Sequence, residues 1–262
     1  RLYTFSIGMK GSPDLEFAKK AAEHIGSIHH SIELTKNDFL EAIEDVIYDI
    51  ESYCTTTVRA SVGNWLVAKY IKENTDIKVV FCGDGADECC GGYIYMSHAP
   101  DCQSFDKECI RLLENIHYYD VLRSDRTISS HGLEPRTPFL DRSFVSAYLN
   151  IPAHLRFSKL GEEKKLLRDA FSDLDYLPDS ILYRRKEAFS DGVSSQSESW
   201  HDIIKTHVSE NNLEENEESY YKRIFEQNFG KRFNIIPEKW MPKFIKADDP
   251  SARTLTNTYN LV

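Results

Sequence analysis

Apolar positions in the first hundred residues switch between two periods. Leu2 to Ile7 is a short, β-prone apolar run closed by Gly8, Gly11 and Pro13, which predicts a strand. Ser12-Pro13-Asp14 then opens a helix, with Ser12 as N-cap and Pro13 at the first helical position. Leu15, Ala18, Ala22 and Ile25 keep helical spacing up to a stop at Gly26. Ile28 to Leu34 alternates as a second strand, and Thr35-Lys36-Asn37-Asp38 caps a helix carrying Phe39, Leu40, Ile43, Val46, Ile47 and Ile50. Thr55 to Ser61 leads into a third helix through Trp65, Leu66, Ala68, Tyr70 and Ile71. Ile77 to Phe81, broken only by Lys78, predicts a buried strand. Strand, helix, strand, helix is the order of a parallel sheet covered on both faces, so the fold class is α/β.

Beyond Tyr95 the strand signals stop and a mostly helical portion begins. Phe105 to Tyr119 is amphipathic, Thr127 to Gly132 continues the helical layer, and Phe144 to Leu149 and Lys164 to Phe171 are short amphipathic helices. Pro135 to Asp141 is rigid and extended, because residues before proline are pushed out of the α region. Leu177-Pro178-Asp179-Ser180 begins a further helix with Tyr183 to Glu187 as its basic end. From Asp191 to Glu218 the chain is polar, with Ser194 to Ser199 and Glu214 to Glu218 as expected mobile surface, and Trp240 to Val262 has too few apolar residues for a domain of its own. No repeat with a period of about 20 to 50 residues is found.

Composition narrows the function classes. The 262 residues are 41% hydrophobic, enough to bury one sizeable core. A formal charge of -10, from 42 acids against 32 bases, argues against a nucleic-acid surface. No apolar run is long enough to span a bilayer and no signal-peptide layout opens the chain, which predicts a soluble, cytoplasmic protein without a membrane partner. The six cysteines include no Cys-x-x-Cys pair, and Cys89 and Cys90 are adjacent, which reads as reduced thiols. A metal cluster of these with His98 or His117 matches no standard spacing.

Three stretches carry candidate chemistry. The apolar run to Phe81 ends in Cys82-Gly83-Asp84-Gly85-Ala86-Asp87-Glu88, where glycines let backbone N–H groups approach an anion and acids stand ready for a metal or a proton. The same letters fit an ordinary strand-to-helix turn with solvated acids. Thr55-Thr56-Thr57-Val58-Arg59 places hydroxyls and a cation at a helix start, which suits an anion and also suits plain N-capping. Arg184-Arg185-Lys186 is a basic cluster that either faces an anion or completes a helix C-terminus.

In their order these segments resemble the synthetase domain of the glutamine-hydrolysing, B-type asparagine synthetases. The motifs are Thr4-Phe5-Ser6-Ile7-Gly8-Met9 with Gly11-Ser12-Pro13-Asp14-Leu15, Gly26 through His29-His30, Thr56 to Ser61, Gly83 to Tyr93, and His131 to Asp141. Leu177 to Ser180, Arg185-Lys186-Glu187 with Phe189 to Val193, and Asp248 to Arg253 follow, so the match covers nearly the whole chain.

The resemblance implies a Rossmann-like sheet of the adenine nucleotide alpha-hydrolase (HUP) type, with residues 1–100 as a partial ATP-pyrophosphatase core and 101–262 as a helical part of the same domain. It implies that aspartate attacks the α-phosphorus of Mg-ATP and that ammonia, drawn from glutamine, then displaces AMP from β-aspartyl-AMP. By similarity Lys186 would hold pyrophosphate, and Arg59 with Thr56 would contact the transferring phosphate. Ile7, Cys82, Gly83 and Gly85 would line the nucleotide pocket largely through backbone groups. Asp87 would position Mg²⁺ or the substrate amine. The family's phosphate loop and its glutaminase domain, an implied partner in cis, are not in this sequence, so the chain alone is expected to be inactive; a homodimer is the implied assembly. Two positions depart from the family pattern: Asp84 stands for Glu and Cys82 for Ser. Losing a methylene shortens reach by about 1.5 Å, and a misplacement of about 1 Å can cost on the order of a hundredfold in rate. A catalytically degenerate nucleotide- or partner-binding homologue, and an amide ligase like the β-lactam synthetases, are therefore the alternatives.

Overall fold

The computed structural model describes residues 1–159, 162–195, 197–211, 216–247 and 249–250. Its elements in chain order are β1 (Tyr3–Met9), α1 (Pro13–Ile25), β2 (Ile28–Leu34), α2 (Lys36–Glu41), α3 (Ile43–Ile50), α4 (Thr55–Asn74) and β3 (Val79–Phe81). Then come α5 (Ala86–Cys90), α6 (Cys102–Asn115), α7 (Asp120–Ser129), β4 (Glu134–Arg136), α8 (Arg142–Leu149) and α9 (Ala153–Arg156). The series ends with α10 (Lys165–Phe171), α11 (Asp179–Leu182), α12 (Phe189–Gly192), α13 (Trp200–Asn211) and α14 (Glu217–Phe229). The protein is α/β and predominantly helical, and the sheets formed by its described residues have two strands each. Asp248 to Arg253, one of the motifs above, falls mostly outside the described residues.

Contacts group the chain into two compact units, each drawn from several stretches, whereas the sequence reading divided it once, near residue 100. The first unit comprises residues 1–80, 122–135 and 188–240, and the second 81–121, 136–187 and the described residues from Met241 onward.

In the first unit β1 and β2 run parallel, in register from Tyr3 opposite Ile28 to Met9 opposite Leu34. Ile7 and Ile32, partners in that ladder, point into a core completed by Phe39, Ile43, Ile47, Ile50, Val58 and Val62. Ser12 does occupy the N-cap of α1, yet its hydroxyl makes no cap bond: it donates to the Gly192 carbonyl at 2.6 Å. Met9 N–H donates to the Val193 carbonyl at 2.6 Å, so the Asp191-Gly192-Val193 turn is seated at the end of β1. A Cβ at Gly192 would meet the Asp14 carboxylate, which would have to shift. The single helix expected from Lys36 to Ile50 is two helices meeting at Ala42, the first with a capping box between Thr35 and Asp38.

The polar stretch from Asp191 is a correction to the sequence reading. Trp200, Ile203, Ile204 and Val208 sit on one side of α13 and are buried in the first unit's core. Their spacing of three, four and eight residues is the helical stripe, hidden by the serines and glutamates around it. The strand ending at Phe81 is a second correction, because Val79 and Phe81 are exposed, Phe81 at 77%. Glu134 N–H donates to the Lys78 carbonyl and Cys82 N–H to the Arg136 carbonyl, so the ladder to β4 satisfies the backbone without covering those side chains.

In the second unit Cys89, Cys90 and Tyr148 form a buried cluster against Leu113, Phe144, Val145 and Leu167. No disulfide joins the six cysteines, all of which lie among the described residues. No described helix is long and apolar enough to cross a membrane.

Candidate functional site

In the second unit the chain leaves β3 through Cys82 and turns at Gly83 to Gly85. Gly85 adopts φ of 90°, the left-handed region that glycine tolerates, and its missing Cβ leaves room for the Leu140 side chain pressed against it. Gly83 is exposed, and a Cβ there would meet nothing within 4 Å. The turn launches the five-residue α5, which carries Asp87 and Glu88 side by side into different surroundings.

Asp87 lies between two ammonium groups. Lys164 Nζ donates to Oδ1 at 2.7 Å, and Lys186 Nζ pairs with Oδ2. Burial alone would favour the neutral acid, but Lys186 and Lys164 override it and hold the carboxyl far below the usual range. Lys186 is shifted upward in turn: burial works against its charge, and Asp87 more than compensates. The side chains of Asp87, Lys164 and Lys186 are 20%, 21% and 19% exposed, so the cluster is sheltered yet reachable. Glu163, buried nearby, accepts from the Lys186 backbone N–H at 3.4 Å and faces Arg168 at 3.6 Å. It thereby helps to fix the peptide that carries Lys186.

Glu88 points the other way. Tyr93 Oη lies 2.6 Å from its Oε1 and 3.1 Å from Asp120 Oδ2. One hydroxyl proton cannot satisfy two carboxylates at once. Burial first, and the Asp120 charge second, push Glu88 well above the ordinary carboxylate range. Tyr93 is pushed up as well, by burial and by Asp120, and its ring lies 5.9 Å from Lys186 Nζ. Lys164 and Asp120 were not singled out from the sequence, whereas Glu88 and Tyr93 were named there only as members of the glycine-loop motif.

In the first unit α4 begins at Thr55 after Cys54, which makes no side-chain cap bond. Thr55 and Thr57 are buried and Thr56 half-buried, and the hydroxyls of all three, with that of Ser61, have no hydrogen-bond partner among the described residues. An unpaired buried hydroxyl costs about 1–3 kcal/mol, so four of them around the start of a 20-residue helix are not explained by capping. Arg59, one turn further on, is buried and grips Glu217 along one edge of its guanidinium: Nε to Oε1 at 2.7 Å and Nη2 to Oε2 at 2.5 Å. Nη2 also reaches His201 Nδ1 at 2.8 Å. Burial opposes ionisation of Glu217, but His201 and Arg59 hold its carboxyl below the usual range.

The expected site residues therefore fall into two sets. Ile7, Thr56 and Arg59 belong to the first unit, where Ile7 turns its side chain into the core and can offer a ligand only its backbone. Cys82, Gly83, Asp84, Gly85, Asp87 and Lys186 belong to the second, gathered around the glycine turn. The fit to Mg²⁺ is poor at Asp87, because both its oxygens already face ammonium groups, and no three metal-binding side chains gather among the described residues. The geometry suits an anion better: cations at one place, unpaired hydroxyls at another.

Comparison with known proteins places the chain in a family. The profile of the asparagine synthase family matches residues 1–106 and 97–241. The glutamine-hydrolysing asparagine synthetase of Gallus gallus is 46% identical over 97% of this chain. That of Homo sapiens is 45% identical over 98%, and that of Mus musculus 46% over 98%. The chain spans about half the length of the curated relatives it matches, 48% in each of these three.

Proposed function

Because the chain belongs to the asparagine synthase family, we propose that it is the synthetase portion of an enzyme that uses ATP to convert aspartate to asparagine. The observation that carries this is the pair of lysines, Lys164 and Lys186, fixed by Asp87 at the end of the glycine turn. Aspartate's side-chain carboxylate attacks the α-phosphorus of ATP, and pyrophosphate departs as negative charge accumulates on it. Two sheltered ammonium groups stabilise that charge more than water does. Lys186 and Lys164 move from Asp87 to the diphosphate. Ammonia then displaces AMP from β-aspartyl-AMP.

Cys82, Gly83 and Gly85 hold the nucleotide through backbone groups, in a Rossmann-like arrangement that the parallel β1–β2 pair supports. Asp87 is assigned as the carboxylate that keeps the lysines charged and aimed. Ammonia comes from glutamine through a glutaminase domain in the same protein, which works in the cytoplasm as a homodimer. Asp84, one methylene shorter than the family's Glu, favours a slowed enzyme or a binding homologue as the second reading.

Pyrophosphate release by the whole protein is the test, measured with aspartate and with bulkier amino acids. Release with aspartate alone is expected. None with any substrate supports the binding homologue, and release only with a bulky amino acid supports a β-lactam-synthetase-like ligase. An Asp84→Glu change is expected to raise turnover.

A further inference from the structure

The edge of a guanidinium formed by Nε and one Nη is the edge that grips a phosphate with two parallel hydrogen bonds. In Arg59 that edge holds Glu217, with bonds of 2.7 and 2.5 Å, and both side chains are buried, at 4% and 10% exposure. His201 takes a further Nη2 contact. Glu217 is the first residue of α14, behind the Asn216 cap, whose side chain accepts the Ser219 N–H at 2.9 Å. We propose that Glu217 is a placeholder for a phosphate group on Arg59, an internal carboxylate that a diphosphate must displace, so that anion binding loosens the first turn of α14. This rests on the proposed function and adds a positioning residue and a moving element to it.

Three structural facts converge on this. The carboxylate copies the two-pronged geometry of the anion it stands for. The unpaired Thr55, Thr56 and Thr57 hydroxyls lie within one helical turn of Arg59 along α4, so an anion there meets partners that Glu217 does not use. The displaced carboxylate stands at a helix N-terminus, where a negative charge is favoured even when solvated.

The test is titration of inorganic pyrophosphate into the whole protein and into its Glu217→Gln variant, followed by calorimetry. The amide keeps the shape and removes the charge, so pyrophosphate competes against a neutral hydrogen bond in place of a charged one. A difference of about 1 kcal/mol between the two corresponds to binding about fivefold tighter in the variant. Hydrogen exchange on the unaltered protein decides the matter if the variant fails to fold: pyrophosphate is expected to speed exchange of the amides of residues 218–221 and to leave the last turn of α14 unchanged. If the wild type binds pyrophosphate but the variant binds no more tightly, or those amides do not respond, Glu217 is an ordinary counter-ion and the placeholder is overturned. If the wild type binds no pyrophosphate, the proposed function fails, and the placeholder with it.

Discussion

Asp87 and Glu88 are neighbours in sequence with opposite fates, and the difference is what each faces. Asp87, between Lys164 and Lys186, stays ionised; its contribution to stability is present above the unfolded value of about 3.9 and is lost as the pH falls through its lowered value. Glu88, buried against Asp120, has its folded value raised above about 4.3. What it contributes is complete below that pH and is lost as the pH climbs through the raised value. Glu88→Gln is therefore expected to melt like the wild type near pH 4 and increasingly above it toward pH 8, as thermal melts across that range would show. The glycine turn offers a cleaner pair. Gly83→Ala meets no atom and is expected to leave stability within about 0.5 kcal/mol of wild type while raising the KM for ATP, if the backbone there touches nucleotide. Gly85→Ala forces a side chain into Leu140 at a left-handed φ and is expected to lose roughly 1–3 kcal/mol in urea unfolding. Lys186 was legible as a cation in an acidic chain; Lys164 was not, because 77 residues separate it from Asp87 and no local pattern announces such a meeting.

Among the elements, α4 carries the sharpest trade between stability and function. Thr57→Val removes a buried hydroxyl without a hydrogen-bond partner and keeps the shape, so the variant is expected to gain about 1 kcal/mol in chemical denaturation while binding pyrophosphate more weakly. A capping or purely structural threonine would give the reverse on stability. The strands and helices up to Phe81 were readable because each has its own period and its own punctuation: Pro13 opens α1, Gly26 closes it, and Thr35 with Asp38 caps α2. What misled was local polarity. The serines preceding α13 suggested loose surface, yet Ser194 Oγ accepts the Trp200 N–H at 2.9 Å and so helps to start the helix that buries Trp200. Burial of β3 was inferred from its letters alone, and letters do not say whether anything packs against a strand.

At the scale of the molecule, Arg59 and Lys186 come from different compact units. The division into units was not legible in the sequence, since it follows long-range contacts, and the polypeptide passes between the units several times. That back-and-forth bears on engineering. No single scissile point yields either half in one piece, so minimising this protein calls for deleting and rejoining several segments at once.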